Sequence, residues 1–172
     1  LEQAGNFRAA LELLNLLMKE WPDDAQRAAV FHQRAECLEK LGDNEAAIKA
    51  YRSVFDAQRS MPSYRTTAHL GFGLLAALSP YPDLYDEALS VLDEFASSST
   101  FPVEDFKAAA IRALIADAKG EEAEASRQAQ RALAAAEKRH SGYARHAALG
   151  LVTGIEPSLD GRLKQLASPG AD

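Results

Sequence analysis

Residues 31–51 read Phe31-His-Gln-Arg-Ala35-Glu-Cys-Leu38-Glu-Lys-Leu-Gly42-Asp-Asn-Glu-Ala-Ala47-Ile-Lys-Ala-Tyr51. Apolar and small residues recur every three or four places on both sides of Gly42, which is the period of a helix with one buried face. Gly42 falls where the first pattern stops. Glycine reaches the left-handed conformation of a helix end at the least cost, so it reads as a stop signal. The stretch therefore predicts two antiparallel helices joined by a tight turn. Ala35 and Ala47 would face each other near that turn, and small side chains permit the short end of the interaxial range, about 8 Å.

The same pattern recurs along the chain. GNFRAALELL starts at Gly5, GDNEAAIKAY at Gly42, LYDEALSVLD at Leu84 and GEEAEASRQA at Gly120, with a weaker copy from Gly154. Anchored on Ala10, Ala47, Ala88, Ala125 and Leu159, the copies are spaced by 37, 41, 37 and 34 residues. Pro22-Asp23-Asp24, Met61-Pro62-Ser63, the stretch from Ser97 to Pro102, and His140-Ser141-Gly142 carry cap and turn residues between them. A hairpin of this kind cannot bury its apolar face alone, so neighbours must stack. Composition agrees with helices throughout. Of 172 residues, 34 are Ala and 22 are Leu, both strong helix formers. The β-branched residues that favour strands are scarce.

A period near 34 with two helices per unit resembles the tetratricopeptide repeat. Phe31, Ala35, Leu38, Gly42, Ala47 and Tyr51 carry the pattern in the second unit. The others match through Gly5, Phe7, Ala10 and Leu14; through Gly71, Leu74, Tyr85, Ala88 and Phe95; through Ala113, Ala116, Gly120, Ala125 and Ala129; and loosely through Tyr143, Ala147, Gly154 and Leu159. The resemblance implies an all-α fold, a right-handed α-solenoid of antiparallel hairpins. It divides the chain into a partial repeat at 1–22, repeats at 23–62, 63–101, 102–140 and 141–167, and a flexible tail at 168–172. The turn from Leu78 to Asp83 is longer than its counterpart in the second unit and holds Pro80 and Pro82. It reads as a tolerated surface insertion, or as a rigid lobe that projects Tyr81 for a contact. The chain opens at Leu1 in mid-pattern, so it is expected to be a fragment of a longer protein.

Bulk charge narrows the function. A net charge of −6 repels phosphate backbones, and no local basic cluster offsets it, so nucleic acid is not the expected partner. No apolar run approaches the roughly 20 residues that span a bilayer. Cys37 is the only cysteine, which excludes an intramolecular disulfide and a cysteine-based zinc site. A low cysteine content fits a reducing compartment such as the cytoplasm.

Candidate chemistry is sparse. Gly71-Phe-Gly73-Leu-Leu-Ala76 matches a dinucleotide fingerprint, but that motif needs a preceding strand and here sits in a helical pattern. His32 and Glu36 are four apart on one helix face, and His69 on the next first helix could join them. No second ligand pair completes a metal site. Cys37 has no positioned base nearby in sequence. Asp23, Asp24, Glu121 and Glu122 precede helices, where carboxylates stabilise the positive end. No nucleophile-elbow or phosphate-loop motif occurs. No catalytic activity, cofactor or metal is expected.

The resemblance also implies that first helices line a concave groove. Its inward places fall on Ala29, His32, Glu36 and Glu39; on Arg65, Ala68, Phe72 and Leu75, with His69 beside them; on Lys107, Ala110, Leu114 and Asp117, with Ile111 beside them; and on Ser141, Ala144, Ala148 and Leu151. Phe72 and Leu114 would be apolar anchors, with Arg65 and Lys107 orienting a ligand. Asparagine occurs only at Asn6, Asn15 and Asn44, so the clamp that some family members use for a terminal carboxylate is not implied. The expected function is a non-catalytic scaffold that binds a peptide or helix of a protein partner. The alternative is a regulatory or oligomerisation segment of a larger protein, such as a transcription regulator or assembly factor, its groove filled by flanking chain or a second copy.

Overall fold

The structure is a computed structural model, which describes residues 6–21, 26–79, 81–96, 101–143 and 146–168. Among these residues there are eight α-helices, one 3-10 turn and no strand, and no helix is long and apolar enough to cross a membrane. The chain divides into two compact units, Leu1–Leu75 and Ala76–Asp172.

The first unit holds α1 (Phe7–Glu20), α2 (Arg27–Lys40), α3 (Asn44–Ser60) and most of α4 (Ala68–Leu78). The Asn6 side chain caps α1 by accepting from the Ala9 N–H at 3.4 Å. Ala10 and Leu14 of α1 pack on Cys37 of α2, with Phe7, Leu11, Leu17 and Val30 around them. The expected turn at Gly42 is present. Gly42 has φ +79°. Its N–H donates to Glu39 O at 2.9 Å and the Asp43 N–H donates to Leu38 O at 3.0 Å, which together satisfy the last carbonyls of α2. Asp43 then caps α3 by accepting from the Ala46 N–H at 3.1 Å. Ala35, Ala47, Tyr51 and Val54 are fully buried along this hairpin.

The second unit begins within α4. A 3-10 turn, Pro82–Leu84, leads from the proline-rich connection into α5 (Tyr85–Phe95), and α6 (Pro102–Ala118), α7 (Glu122–Ala136) and α8 (Pro157–Ala167) follow. The α6–α7 turn repeats the first one. Gly120 has φ +76°, its N–H donates to Asp117 O at 3.0 Å, and the Glu121 N–H donates to Ala116 O at 2.8 Å. Arg112 with Asp93 and Lys119 with Asp86 pair at 2.6 Å on the surface between α5 and α6. Phe106, Ala109, Ala113, Ala129, Ala132 and Leu163 form the core where α6, α7 and α8 meet.

Two expectations of local structure fail. Arg65 was placed on a helix, but α4 starts at Ala68. Gln58 Oε1 accepts from both the Thr66 N–H at 2.6 Å and the Thr66 hydroxyl at 2.9 Å, and Thr66 Oγ1 accepts from the Ala68 N–H at 3.2 Å. That side-chain bonding holds residues 65–67 out of the helix. The first helix of the last repeat is also absent among the described residues, since 138–143 and 146–156 contain no helix. Gly142, Gly150 and Gly154 all have positive φ there. Gly150 packs its bare Cα against the Phe101 ring, where a Cβ would collide, and its carbonyl accepts from the Val103 N–H at 2.9 Å. The partial first helix at 1–4, Gly5, the Pro22-Asp23-Asp24 cap, Pro80, Ser97 to Thr100, Ala144 and the tail from 169 lie outside the described residues.

Candidate functional site

The groove residues expected from the sequence come from both units, and each set is described within its own unit. In the first unit, α2 and α4 bring five of them to one cluster around Tyr51 of α3. His32 Nε2 lies 3.5 Å from Glu36 Oε1 across one helical turn. The Tyr51 ring of α3 sits 6.1 Å from the His32 ring, and its hydroxyl donates to Glu39 Oε2 at 3.1 Å. Phe72 packs edge-on against Tyr51 at 6.0 Å and against Phe55 at 5.5 Å. Half-buried His69 adjoins Phe72 and Gly71 along α4 and is close enough to feel the charge of His32.

The absence of a side chain at Gly71 makes this arrangement feasible. A Cβ there would stand 3.0 Å from Tyr51 Cζ and closer still to the hydroxyl. The glycine match to a dinucleotide fingerprint thus has a packing cause, because Gly71 and Gly73 lie inside α4.

Electrostatics in the cluster follow from burial. Burial raises the Glu39 carboxyl above its usual value, although the Tyr51 hydrogen bond opposes the shift. Burial and the nearby Glu39 charge push the Tyr51 phenol up, so it remains a proton donor. Burial lowers the His69 imidazole, a backbone hydrogen bond with Thr66 opposes this, and His32 repulsion adds to it. Among the described residues no group of three or more His, Cys, Asp or Glu side chains is arranged to hold a metal ion. The cluster joins α2 to α3 through the Tyr51–Glu39 hydrogen bond and α3 to α4 through the packing of Tyr51 on Phe72.

The expected apolar anchors are not on the surface. Phe72 and Ile111 are 0% exposed and Leu114 is 9% exposed. An anchor must offer area to its ligand, so the two expected anchors, Phe72 and Leu114, belong to the core in this structure, as does Ile111 beside them. The 3–4 pattern that placed them on a groove face serves equally for a core face. Arg65 is exposed, whereas Lys107 is half-buried on α6.

Sequence reasoning missed a different surface of the first unit. Arg27, Ala28 and Phe31 of α2 and Ser53, Asp56, Ala57 and Ser60 of α3, with Met61, line a hollow of about 250 Å³. A second hollow of about 160 Å³ lies between α1 and α2, lined by Leu17, Met18, Trp21, Gln26, Arg27 and Val30. Arg27 lines both. Trp21, at 59% exposed, and Met61, at 41%, stand at their rims. The ends of three helices build this surface, so no contiguous motif announces it.

Compared with known proteins, the chain matches no family model, no curated protein and no solved structure.

Proposed function

We propose that the chain is a non-catalytic interaction module, a tetratricopeptide-like array of stacked hairpins that holds a segment of a protein partner. Two hairpins closed by the same glycine turn, with buried alanines at matching places, support the repeat architecture. The observation that carries the binding reading is the exposed apolar surface of the first unit. Leu13 and Leu16 on α1, Trp21 at its end and Met61 after α3 are each more than 40% exposed, and Trp21 and Met61 each line one of the two hollows. Tryptophan, methionine and arginine are the types that interfaces enrich.

Selection of peptides from a random display library on the immobilised chain, followed by solution calorimetry, tests this reading. At least one selected peptide should bind saturably with one site per chain. If none of the selected peptides binds in solution, the reading fails. Leu13 and Leu16 favour a second reading, in which this surface pairs two copies. Light scattering over a concentration series would then show a dimer in the absence of any peptide.

A further inference from the structure

We propose that the two hollows sharing Arg27 form a docking surface for a partner segment that carries a carboxylate flanked by apolar side chains. This rests on the reading of the chain as an interaction module and assigns that role a place and a ligand chemistry.

Size comes first. Pockets for whole small molecules run to roughly 300–1,000 Å³. The hollows here, about 250 and 160 Å³, are smaller and suit single side chains. Their linings agree. The hollow between α1 and α2 is walled by Leu17, Met18, Trp21 and Val30, with Gln26 and Arg27 as its polar members. The other is lined by Ala28, Phe31, Ala57 and Met61 on its apolar side and by Ser53, Asp56 and Ser60 on its polar side. Ser60 Oγ donates to Asp56 O at 2.9 Å and Ser53 Oγ to Lys49 O at 3.2 Å, so both hydroxyls already have acceptors on α3.

Charge selects the middle of the ligand. Arg27 is the cation common to both hollows, and it forms no ion pair among the described residues. Its guanidinium carbon lies 5.8 Å from the Phe31 ring centroid, within cation–π range, which keeps the group beside both hollows. The guanidinium's planar fork of donors fits a carboxylate bidentately. The acid on the rim, Asp56, is engaged with Arg59 at 3.0 Å. A segment with an acidic residue between two apolar ones would place the carboxylate on Arg27 and a side chain in each hollow.

Trp21 is the sole tryptophan and lines one hollow, so its emission reports occupancy. The probes are short fluorescein-labelled synthetic peptides with a glutamate flanked by leucine and phenylalanine. One control series replaces the glutamate with lysine, and another replaces the flanking residues with serine. Emission of Trp21 and anisotropy of the label are followed together on the whole chain. The glutamate peptide should blue-shift Trp21 and raise anisotropy saturably, while both controls bind at least about tenfold more weakly. Arg27→Glu, with an unchanged helical circular-dichroism spectrum, should reverse the preference towards the lysine peptide.

Equal binding of glutamate and lysine peptides would overturn the proposal, as would the absence of a saturable response. Saturable anisotropy with no Trp21 shift and no effect of Arg27→Glu would place peptide binding elsewhere. That result sinks this site and leaves the module reading standing. A Trp21 shift that depends on chain concentration alone would assign the surface to a second copy and overturn the proposal too. The display selection fails or succeeds independently of these outcomes, because its library has no fixed composition.

Discussion

The α2–α3 and α6–α7 hairpins share a turn but fill their interiors differently. In each, a left-handed glycine closes the first helix with the same pair of hydrogen bonds, at Gly42 and at Gly120. In each, alanines pack beside the turn, Ala35 and Ala47 in one, Ala113 and Ala125 in the other, none more than 1% exposed. Beyond the turn they part. Where α3 places Tyr51, the equivalent place on α7 is Ala129, and where α3 places Val54, α7 has Ala132. The bulky face of α3 meets Phe72 and the bare Cα of Gly71 on α4. The alanine face of α7 instead takes α8, which delivers Leu163 into the core with Leu159, Leu166, Val152 and Ile155 around it. The turn and the small-residue seam are local properties that repeat. The third element that each hairpin accepts is decided by side-chain volume at two or three places.

The largest effects should come from emptying those places. Phe72→Ala should cost about 3–5 kcal/mol and Leu163→Ala about 2–5 kcal/mol, both read by urea unfolding. Making the second hairpin resemble the first by Ala129→Tyr should overpack it, at a cost of about 1–3 kcal/mol. Limited proteolysis should then cut near α8 first. If Ala129→Tyr is neutral and α8 stays protected, side-chain volume is not what separates the two hairpins.

Helix capping offers a finer comparison. Asp43 caps α3 with its side chain, whereas Glu121, at the same place before α7, makes no such bond. Asp43→Ala should lose about 1 kcal/mol and Glu121→Ala almost nothing. Glu121→Asp should stabilise the second hairpin by up to about 1 kcal/mol, which thermal unfolding can resolve. A loss at both alanine variants would mean that the glutamate caps after all.

Dependence on pH should be smallest, and its buried contributors lie in the first unit's cluster. The His69 imidazole is held below its usual 6.5, so the unfolded chain binds more protons within that window. Stability should therefore rise with pH from the lowered value to 6.5 and fall on acidification. Glu39 works in the opposite sense. Its carboxyl is raised above 4.5, so the folded chain holds the proton longer and stability falls as pH climbs through the raised value. His69→Gln should remove the first slope and Glu39→Gln the second. A pH profile that neither variant alters would rule out both assignments.

The turns were legible in the sequence because every group that makes them lies within six residues. The buried alanines were legible because helical periodicity exposes them. The failures involve contacts between residues far apart in sequence. Arg65 leaves its expected helix because Gln58 captures Thr66. Among the described residues from 138 to 156 there is no helix, and Gly150 there packs on Phe101, 49 residues away in sequence. Phe72 is buried, and helical spacing does not foretell that, because an apolar residue at that spacing looks the same whether the face meets a ligand or the core. The Arg27 surface was invisible because residues from the ends of α1, α2 and α3 build it.

The most direct test of the repeated hairpin replaces Gly42 and Gly120, one at a time, with L-alanine and, by semisynthesis, with D-alanine. Positive φ strains the L residue and suits its mirror image. Nothing lies within 4 Å of an L-alanine Cβ at either place, so backbone conformation alone decides the cost of that substitution. The account predicts a loss of about 1–2 kcal/mol for each L-alanine and a gain of up to about 1 kcal/mol for each D-alanine, matched between the two turns. If the two mirror-image residues behaved alike, or if only one turn discriminated between them, the hairpins would not be copies of one another.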